Sequence, residues 1–339
     1  MAAPPIGVQG AGVAALCSLR LLDAQAQRIE TQAEAIPGRL PSILVSQSTQ
    51  KLLADIFRDS HLFDAAPRIH LRVVAWGLRQ PVALPHDAIV ISEHALLQLL
   101  HSRLPNPQTN TTAPLDWTIL TARSAPVLVS ASHRQFGARS AQVHRVDLTP
   151  HAESETCWIE STPQGWLFLL TTGPASGSLL SVGDSAAPLL AQSSLIAARV
   201  QHLHALAGEF PVHPRILTPL CALGWLACGS AAMAFDPLCG EGAGNAAREA
   251  ILACAAVRAI RGGESTEAVL SEYDARLKLG FLRHLENCRE FYVGDFQTEF
   301  WREARHGIEE GLAWTRAQLA AGPSPRFRLV DFALHRIGA

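Results

Sequence analysis

The sequence predicts an α/β fold: a Rossmann-like, three-layer ββα domain interleaved with an antiparallel-sheet domain and followed by C-terminal helices. Three observations point there. Residues 5–22 read as a short apolar strand, a glycine-rich turn and an Ala/Leu-rich helix. Residues 223–261 repeat that strand, turn and helix order. Between them, residues 116–180 break into short runs rich in Val, Thr, Ile or Trp and separated by turn residues, the pattern of antiparallel strands.

With 339 residues, 48% of them hydrophobic and 17% charged, the chain is long and apolar enough for one large or two smaller cores. Its 28 Lys and Arg against 30 Asp and Glu, with no basic run, argue against a nucleic-acid partner. The seven cysteines (Cys17, Cys157, Cys221, Cys228, Cys239, Cys254 and Cys288) have no C-x-x-C spacing, so no metal site is expected and they read as reduced thiols of a cytoplasmic protein. No apolar window reaches the length of a membrane span, so no transmembrane segment is expected.

The first turn carries Gly10, Gly12 and Ala15 in G-x-G-x-x-A spacing. The first Gly permits the tight turn, the second lets a pyrophosphate approach the backbone, and the small third residue lets helix and strand pack closely. Residues 28–31 read as the second strand, 48–57 as a helix, and 70–77 as a strand with His70, Arg72, Val74 and Trp76 on one face. Another helix is expected at 92–104, a polar loop at 106–114, and strands at 117–121, 126–130, 141–148, 156–160 and 166–171. Beyond Ser185 the chain reads as helical until the strand at 223–228; a long helix at 246–261 ends at Gly262-Gly263. Two amphipathic helices joined around Gly294-Asp295 fill 267–319. The expected cofactor domain is therefore 1–64, 115–140 and 216–263, the substrate domain 65–114 and 141–215, and the helical region 264–339.

The second turn presents Gly229, Ala231, Ala232, Asp236, Pro237, Gly240 and Gly242 after a strand and ahead of a helix. This pattern resembles the flavin-contacting motif of FAD-dependent monooxygenases of the aromatic hydroxylase, tryptophan-halogenase and geranylgeranyl-reductase superfamily. Gly38-Arg39-Leu40-Pro41 is similar to that superfamily's loop after the second strand, and Glu160-Ser-Thr-Pro-Gln-Gly-Trp166 resembles its substrate-domain hairpin. The tail with Glu290-Phe-Tyr292 and Phe300-Trp301 is similar to halogenase-type flavoproteins, including those of quinone-cofactor maturation.

The resemblance implies FAD bound by Gly10, Gly12, Ala15, Glu34, Arg39, Ser230, Asp236, Pro237, Gly240 and Gly242. It implies hydroxylation of an electron-rich aromatic or unsaturated substrate, small or peptide-borne, with O2 activated on the reduced flavin and electrons from NAD(P)H or a separate reductase. His70, Arg72, Trp76 and Trp166 are candidate substrate-cavity residues; no catalytic acid or base is assigned. Three positions depart from the pattern: Ala33, followed by Glu34, stands where the ribose-binding acid is expected, and Ser230 and Ser130 stand where the family carries Asp. Those departures leave open a non-catalytic, flavoprotein-like binding protein. Halogenation is disfavoured by the missing W-x-W-x-I-P motif and by Lys51 and Lys278, which both lie on helical patterns. No H-E-x-x-H, G-x-S-x-G or P-loop motif is present.

Overall fold

The structure, a computed structural model, describes residues 4–29, 40–105, 115–123, 131–150, 152–322 and 325–338. In chain order it runs β1 (Ile6–Gln9), α1 (Val13–Leu22), β2 (Ala26–Ile29), β3 (Ile43–Ser46), α2 (Gln47–Phe57), β4 (Arg68–Ala75), β5 (Val82–Ile91), α3 (Glu93–His101), β6 (Trp117–Leu120), β7 (Ser132–Gln135), β8 (Ser140–Leu148), β9 (Thr156–Thr162) and β10 (Gly165–Gly173). It continues through β11 (Ser176–Gly183), α4 (Ala186–Gln192), β12 (Val200–Pro211), β13 (Arg215–Thr218), β14 (Cys221–Ala222), β15 (Trp225–Ala227), β16 (Met233–Ala234), α5 (Gly242–Arg261), α6 (Thr266–Tyr292), α7 (Glu299–Ala320), β17 (Phe327–Val330) and β18 (Ala333–Arg336).

Ile6, Val8, Ile119 and Leu226 are fully buried, and such short, uniformly apolar runs suit the interior of a parallel sheet. A five-stranded sheet accordingly has the order β14-β15-β6-β1-β2, with β1 parallel to β2 and β6, and β15 parallel to β6. Ala14, Ala15 and Cys17 on α1 and Ala247, Ala250 and Cys254 on α5 are buried, and such small side chains let two helices approach closely. An eight-stranded sheet of order β12-β8-β11-β10-β9-β4-β5-β3 is antiparallel except where β4 runs parallel to β9. On one of its faces Val146, Trp158, Leu167, Leu169 and Leu179 form a core with Ala186 and Leu189 of α4. The third sheet is β16-β13-β7, and Tyr273, Phe281, Tyr292 and Trp301 carry the C-terminal helices into the main core. The α/β class with its two kinds of sheet and its helical end is as the sequence predicts.

Several elements differ from expectation. The second strand begins at Ala26, two residues before the expected 28–31, of which 30–31 lie outside the described residues, and the helix read as 246–261 begins at Gly242. After α4 the chain is not helical but forms β12 and β13. Val200, Leu203, Leu206 and Phe210 are spaced like a helix stripe, yet β12 is an edge strand with three register irregularities against β8, so no burial enforces strict alternation. The segment 126–130 lies outside the described residues. Within 1–64, β3 pairs with β5 in the eight-stranded sheet, not with β1 or β2. The hairpin read from Glu160 to Trp166 is β9 and β10, joined between Thr162 and Gly165. There Glu160 is buried and accepts from the Leu195 and Ile196 amides at 3.0 and 2.9 Å, with Ser193 Oγ and Ser194 completing its shell.

Candidate functional site

Three adjacent parallel strands, β1, β6 and β15, end side by side, and β1 and β15 are each followed by a glycine turn. Thr121, just past β6, joins them: its amide and its Oγ1 both donate to Gln9 O at 2.9 Å, and its own carbonyl accepts from Ser230 Oγ at 2.9 Å. Gly10 has φ +124°, and a Cβ there would lie 2.1 Å from Thr121 Oγ1. A Cβ on Gly229 would lie 2.7 Å from that of Ala14. These two glycines are therefore demanded by contact between the turns themselves.

Gly12, Gly240 and Gly242 are different, because the space a Cβ would take at each is open to beyond 4 Å. Gly12 is the N-cap of α1 and Glu241 that of α5, and neither helix start has a side-chain cap. The positive dipole ends of two helices thus carry no side-chain cap, with open space beside Gly12 and Gly242 and with Thr49, Glu241 and Arg248 packed around Gly244; in open α/β sheets such helix starts at the carboxyl ends of parallel strands bind ligands. Ala15 is fully buried, which answers the need for a small residue at that position.

The second turn is held from below. Glu249 of α5 accepts from the Gly229 amide at 2.6 Å; burial pushes its carboxyl up to about 8, so it is the neutral acid at pH 7. Asp236, 2% exposed, accepts from the Leu238 amide at 2.9 Å and from Tyr292 Oη at 2.8 Å, and pairs with Arg139 Nη2 at 3.1 Å. The Arg139 guanidinium lies 4.5 Å over the Tyr292 ring, and the Asp236 amide donates to His284 Nε2 at 2.9 Å. The Asp236 carboxylate therefore points into the core, and with Pro237 it shapes the turn that leads to Gly240. Trp166 belongs to the same network, donating from Nε1 to Tyr292 Oη at 3.0 Å. Trp76 donates to Phe291 O at 2.6 Å and meets Trp301 edge-on with centroids 5.6 Å apart. Both tryptophans join the large sheet to the C-terminal helices.

The face of the large sheet opposite α4 carries a different set. Pairing of Arg72 with Cys157, Val74 with Ile159, and Phe168 with Ile159 and Leu180 puts Arg72, Val74, Phe168 and Leu180 on one side, all half-buried. His86 of β5 sits in the field of Arg72 and of Glu241; burial first, then Arg72, holds its imidazole below the usual range and hence neutral at pH 7. His86 Nε2 and Arg72 Nε are buried without a hydrogen-bond partner. Glu241 in turn accepts from Ser46 Oγ at 3.1 Å and Arg248 Nη1 at 3.3 Å. Arg72 and His86 share this face of the sheet, and His86 also lies in the field of Glu241 at the start of α5. His70 is exposed beside Asp87 Oδ1 at 3.3 Å, and the Asp87 carboxylate also acts on the neighbouring His86.

Glu34, Arg39, Ala33 and Ser130 lie outside the described residues. Sequence reasoning missed Thr121, Glu249, His86 and Glu241. A Glu inside the G-x-G stretch and an acid on the buried side of an Ala-rich helix were the signals for two of them; nothing local marks Thr121 or His86.

No family model and no curated protein sequence matches the chain. Solved structures do. CmlS, a flavin-dependent halogenase, is similar at TM-score 0.75 and 16% identity over 94% of this chain and 70% of that one. The peptidyl tryptophan dihydroxylase QhpG, essential for tryptophylquinone cofactor biogenesis, gives 0.71 and 18% over 99% and 86%. The p-nitrophenol 4-monooxygenase PnpA from Pseudomonas putida DLL-E4 gives 0.68 and 15% over 94% and 96%. The fold is the one these flavin-dependent halogenases and monooxygenases share.

Proposed function

We propose that the chain is an FAD-dependent monooxygenase that hydroxylates an electron-rich aromatic substrate, small or peptide-borne. The observation that carries this reading is the pair of uncapped helix starts with open space at Gly12, Gly240 and Gly242, set beside a sheet face bearing Arg72, His86 and Phe168. Gly10, Gly12, Ala15 and the Ser230 turn hold the dinucleotide backbone in this reading, Asp236 and Pro237 set the path to Gly240 and Gly242, and Glu34 and Arg39 remain proposed contacts. FAD, when bound, supplies the redox chemistry and the activation of O2.

The protein's own part is orientation and exclusion of water. The start of α5 stabilises negative charge next to Gly242. Phe168, Val74 and Leu180 offer an apolar surface to an aromatic ring, and the unpartnered Arg72 Nε and His86 Nε2 hold a polar substituent on it. Hydroxylation is favoured over halogenation because Lys51 lines an open surface groove with Asp55 and Arg58, while Lys278 pairs with Asp274 at 2.7 Å on α6. The fold names among its relatives a dihydroxylase of peptidyl tryptophan, which supports a peptide-borne ring as well as a free one. Electrons come from NAD(P)H or a partner reductase, and the unbridged cysteines suit the cytoplasm. Among the described residues no helix is long and apolar enough to cross a membrane.

The test is to purify the protein, add FAD, and follow reoxidation of the chemically reduced complex by O2 with phenolic and indolic compounds. Flavin retention with substrate-dependent product formation supports the reading. A protein that takes up no flavin returns the chain to the alternative of a non-catalytic binding protein.

A further inference from the structure

The sheet face that carries Arg72, Val74 and Phe168 continues past β4. Arg72 pairs with Leu84 and Val74 with Val82 across the β4-β5 hairpin, so Leu84 and Val82 lie on that same face, and both are exposed. β3 covers β5 only from Ala88 to Ile91; from Val82 to Pro85 no described strand lies outside β5, and each of these residues is exposed. At the hairpin tip Leu78 is 80% exposed. Its amide donates to Asp295 Oδ2 at 2.8 Å, and Trp76 Nε1 donates to Phe291 O at 2.6 Å, which holds the tip against the corner between α6 and α7. Gly77 has φ +68°, and a Cβ there would collide with Asp295 Oδ2, so the tip is shaped to fit the corner. Phe291 and Val293 of that corner are exposed as well, Val293 by 67%.

Large apolar side chains thus run from the α6-α7 corner over the hairpin tip and along the ribbon to the half-buried face. Single exposed residues of this kind are ordinary, whereas a series joined by hydrogen bonds and by strand register calls for a partner. A free aromatic molecule on Phe168, Val74 and Leu180 would leave the series bare; a longer occupant covers both. Charge narrows its nature. Arg72 on the face and Arg79 at the tip have no ion pair among the described residues, Asp295 is spent on the Leu78 amide, Asp87 stands beside His70, and Arg289 and Glu290 next to Phe291 offset each other. The charge left over is positive and complements an acidic partner. Pro81 and Pro85 lack the N–H that an added strand would bond to, so the occupant lies across the face and does not extend the sheet at β5. A bilayer would meet the tip and the corner but not Leu84, which stands opposite Arg72 with its buried Nε.

We propose that Leu78, Val82, Leu84, Phe291 and Val293 form a docking strip for an extended, acidic segment of polypeptide, one aromatic side chain of which reaches the face at Arg72, Val74 and Phe168. Calling that face the substrate site rests on the monooxygenase reading; the docking strip itself does not. Leu78, Phe291 and Val293 grip the segment away from the site, Arg79 pairs with an acidic side chain, and Trp76 and Asp295 hold the hairpin tip and the helix corner together beneath it.

The experiment is fluorescence anisotropy of labelled peptides on the full chain, using wild type, the double variant Leu78→Gln with Val293→Gln, and Arg79→Glu. The peptides have about ten residues, enough at about 3.3 Å per residue to run from the hairpin tip to Arg72. Each carries one tryptophan or tyrosine among Leu, Ser and Glu, or among Leu, Ser and Lys, with N-acetyl-tryptophanamide and N-acetyl-tyrosinamide as the free rings. All three substituted positions are exposed, so melting temperatures are expected to match wild type. The acidic peptides are expected to bind wild type about tenfold or more tighter than the free rings or the Lys peptides. The double variant should lose that advantage, and Arg79→Glu should lose part of it in a manner that fades as salt rises. FAD uptake is measured separately. Peptide binding without FAD uptake keeps the docking strip and removes the flavin reading, whereas FAD uptake with no preference for peptide over free ring overturns the strip and leaves that reading. A peptide advantage that survives the double variant, a wild-type dimer in light scattering that the double variant dissolves, or binding of phosphatidylcholine and phosphatidylglycerol vesicles by wild type alone each overturn the proposal.

Discussion

The two glycine turns solve the same problem with different materials. The first, at Gly10 to Gly12, is held by backbone and one hydroxyl: Thr121 donates twice to Gln9 O, and the neighbouring helix start carries no ionisable group in its first turn. The second, from Gly229 to Gly242, rests on buried ionisable groups brought from far along the chain, with Glu249 under Gly229 and Arg139, Tyr292 and His284 around Asp236. A turn built from sterics is insensitive to pH and intolerant of added atoms. One built on buried acids is sensitive to both charge and partner loss.

The largest effect expected from breaking this contrast is at Asp236. Asp236→Ala leaves Arg139 buried without its counter-charge, and thermal or denaturant unfolding should register a loss of roughly 3–5 kcal/mol. Next, Gly10→Ala forces a positive φ on a side chain that meets Thr121 Oγ1 and Ala122, and should cost about 1–3 kcal/mol from backbone strain alone; the same substitution at Gly12, where space is open, should leave the melting temperature within a degree or two of wild type, as about 0.5 kcal/mol would.

The pH dependence sharpens the comparison further. The Glu249 carboxyl holds its proton in the folded chain up to about 8, whereas the unfolded chain releases it in the ordinary carboxylate range. Between those values the native state binds more protons, so stability falls as pH rises across the window and levels off above it. Glu249→Gln keeps an acceptor for the Gly229 amide and removes that slope; melting curves from pH 5 to 8 should therefore flatten, with the variant gaining on wild type toward pH 8. Tyr292→Phe, which removes one hydrogen bond to Asp236 and one from Trp166, should cost about 1–2 kcal/mol in a chemical denaturation series, more than the Gly12 change and less than the loss of Asp236.

The same contrast explains what could be read in the sequence. The first turn and both helix starts follow from local rules, since spacing of small residues after an apolar strand states where backbone must bend and approach. Asp236 and Pro237 were legible as a motif, but the destination of the carboxylate was not, because Arg139 and Tyr292 lie 97 and 56 residues away in the chain. Trp76 and His70 share an alternating pattern with Arg72; a bulge between Ile69 and Leu71 and the docking of Trp76 on Trp301 assign the three side chains to different surroundings. β12 misleads for a related reason: an edge strand with water on much of its surface is not held to a two-residue alternation, and its apolar residues fall at helix-like spacing instead.

The central claim is that the open space at Gly12, Gly240 and Gly242 is filled by a flavin dinucleotide. Quenching of FAD fluorescence measures this directly in wild type, Gly12→Val and Gly242→Val, with melting temperatures taken in parallel. The account predicts saturable FAD binding by wild type and loss of it in both variants, each still folding cooperatively. FAD binding of undiminished affinity in both valine variants would contradict it.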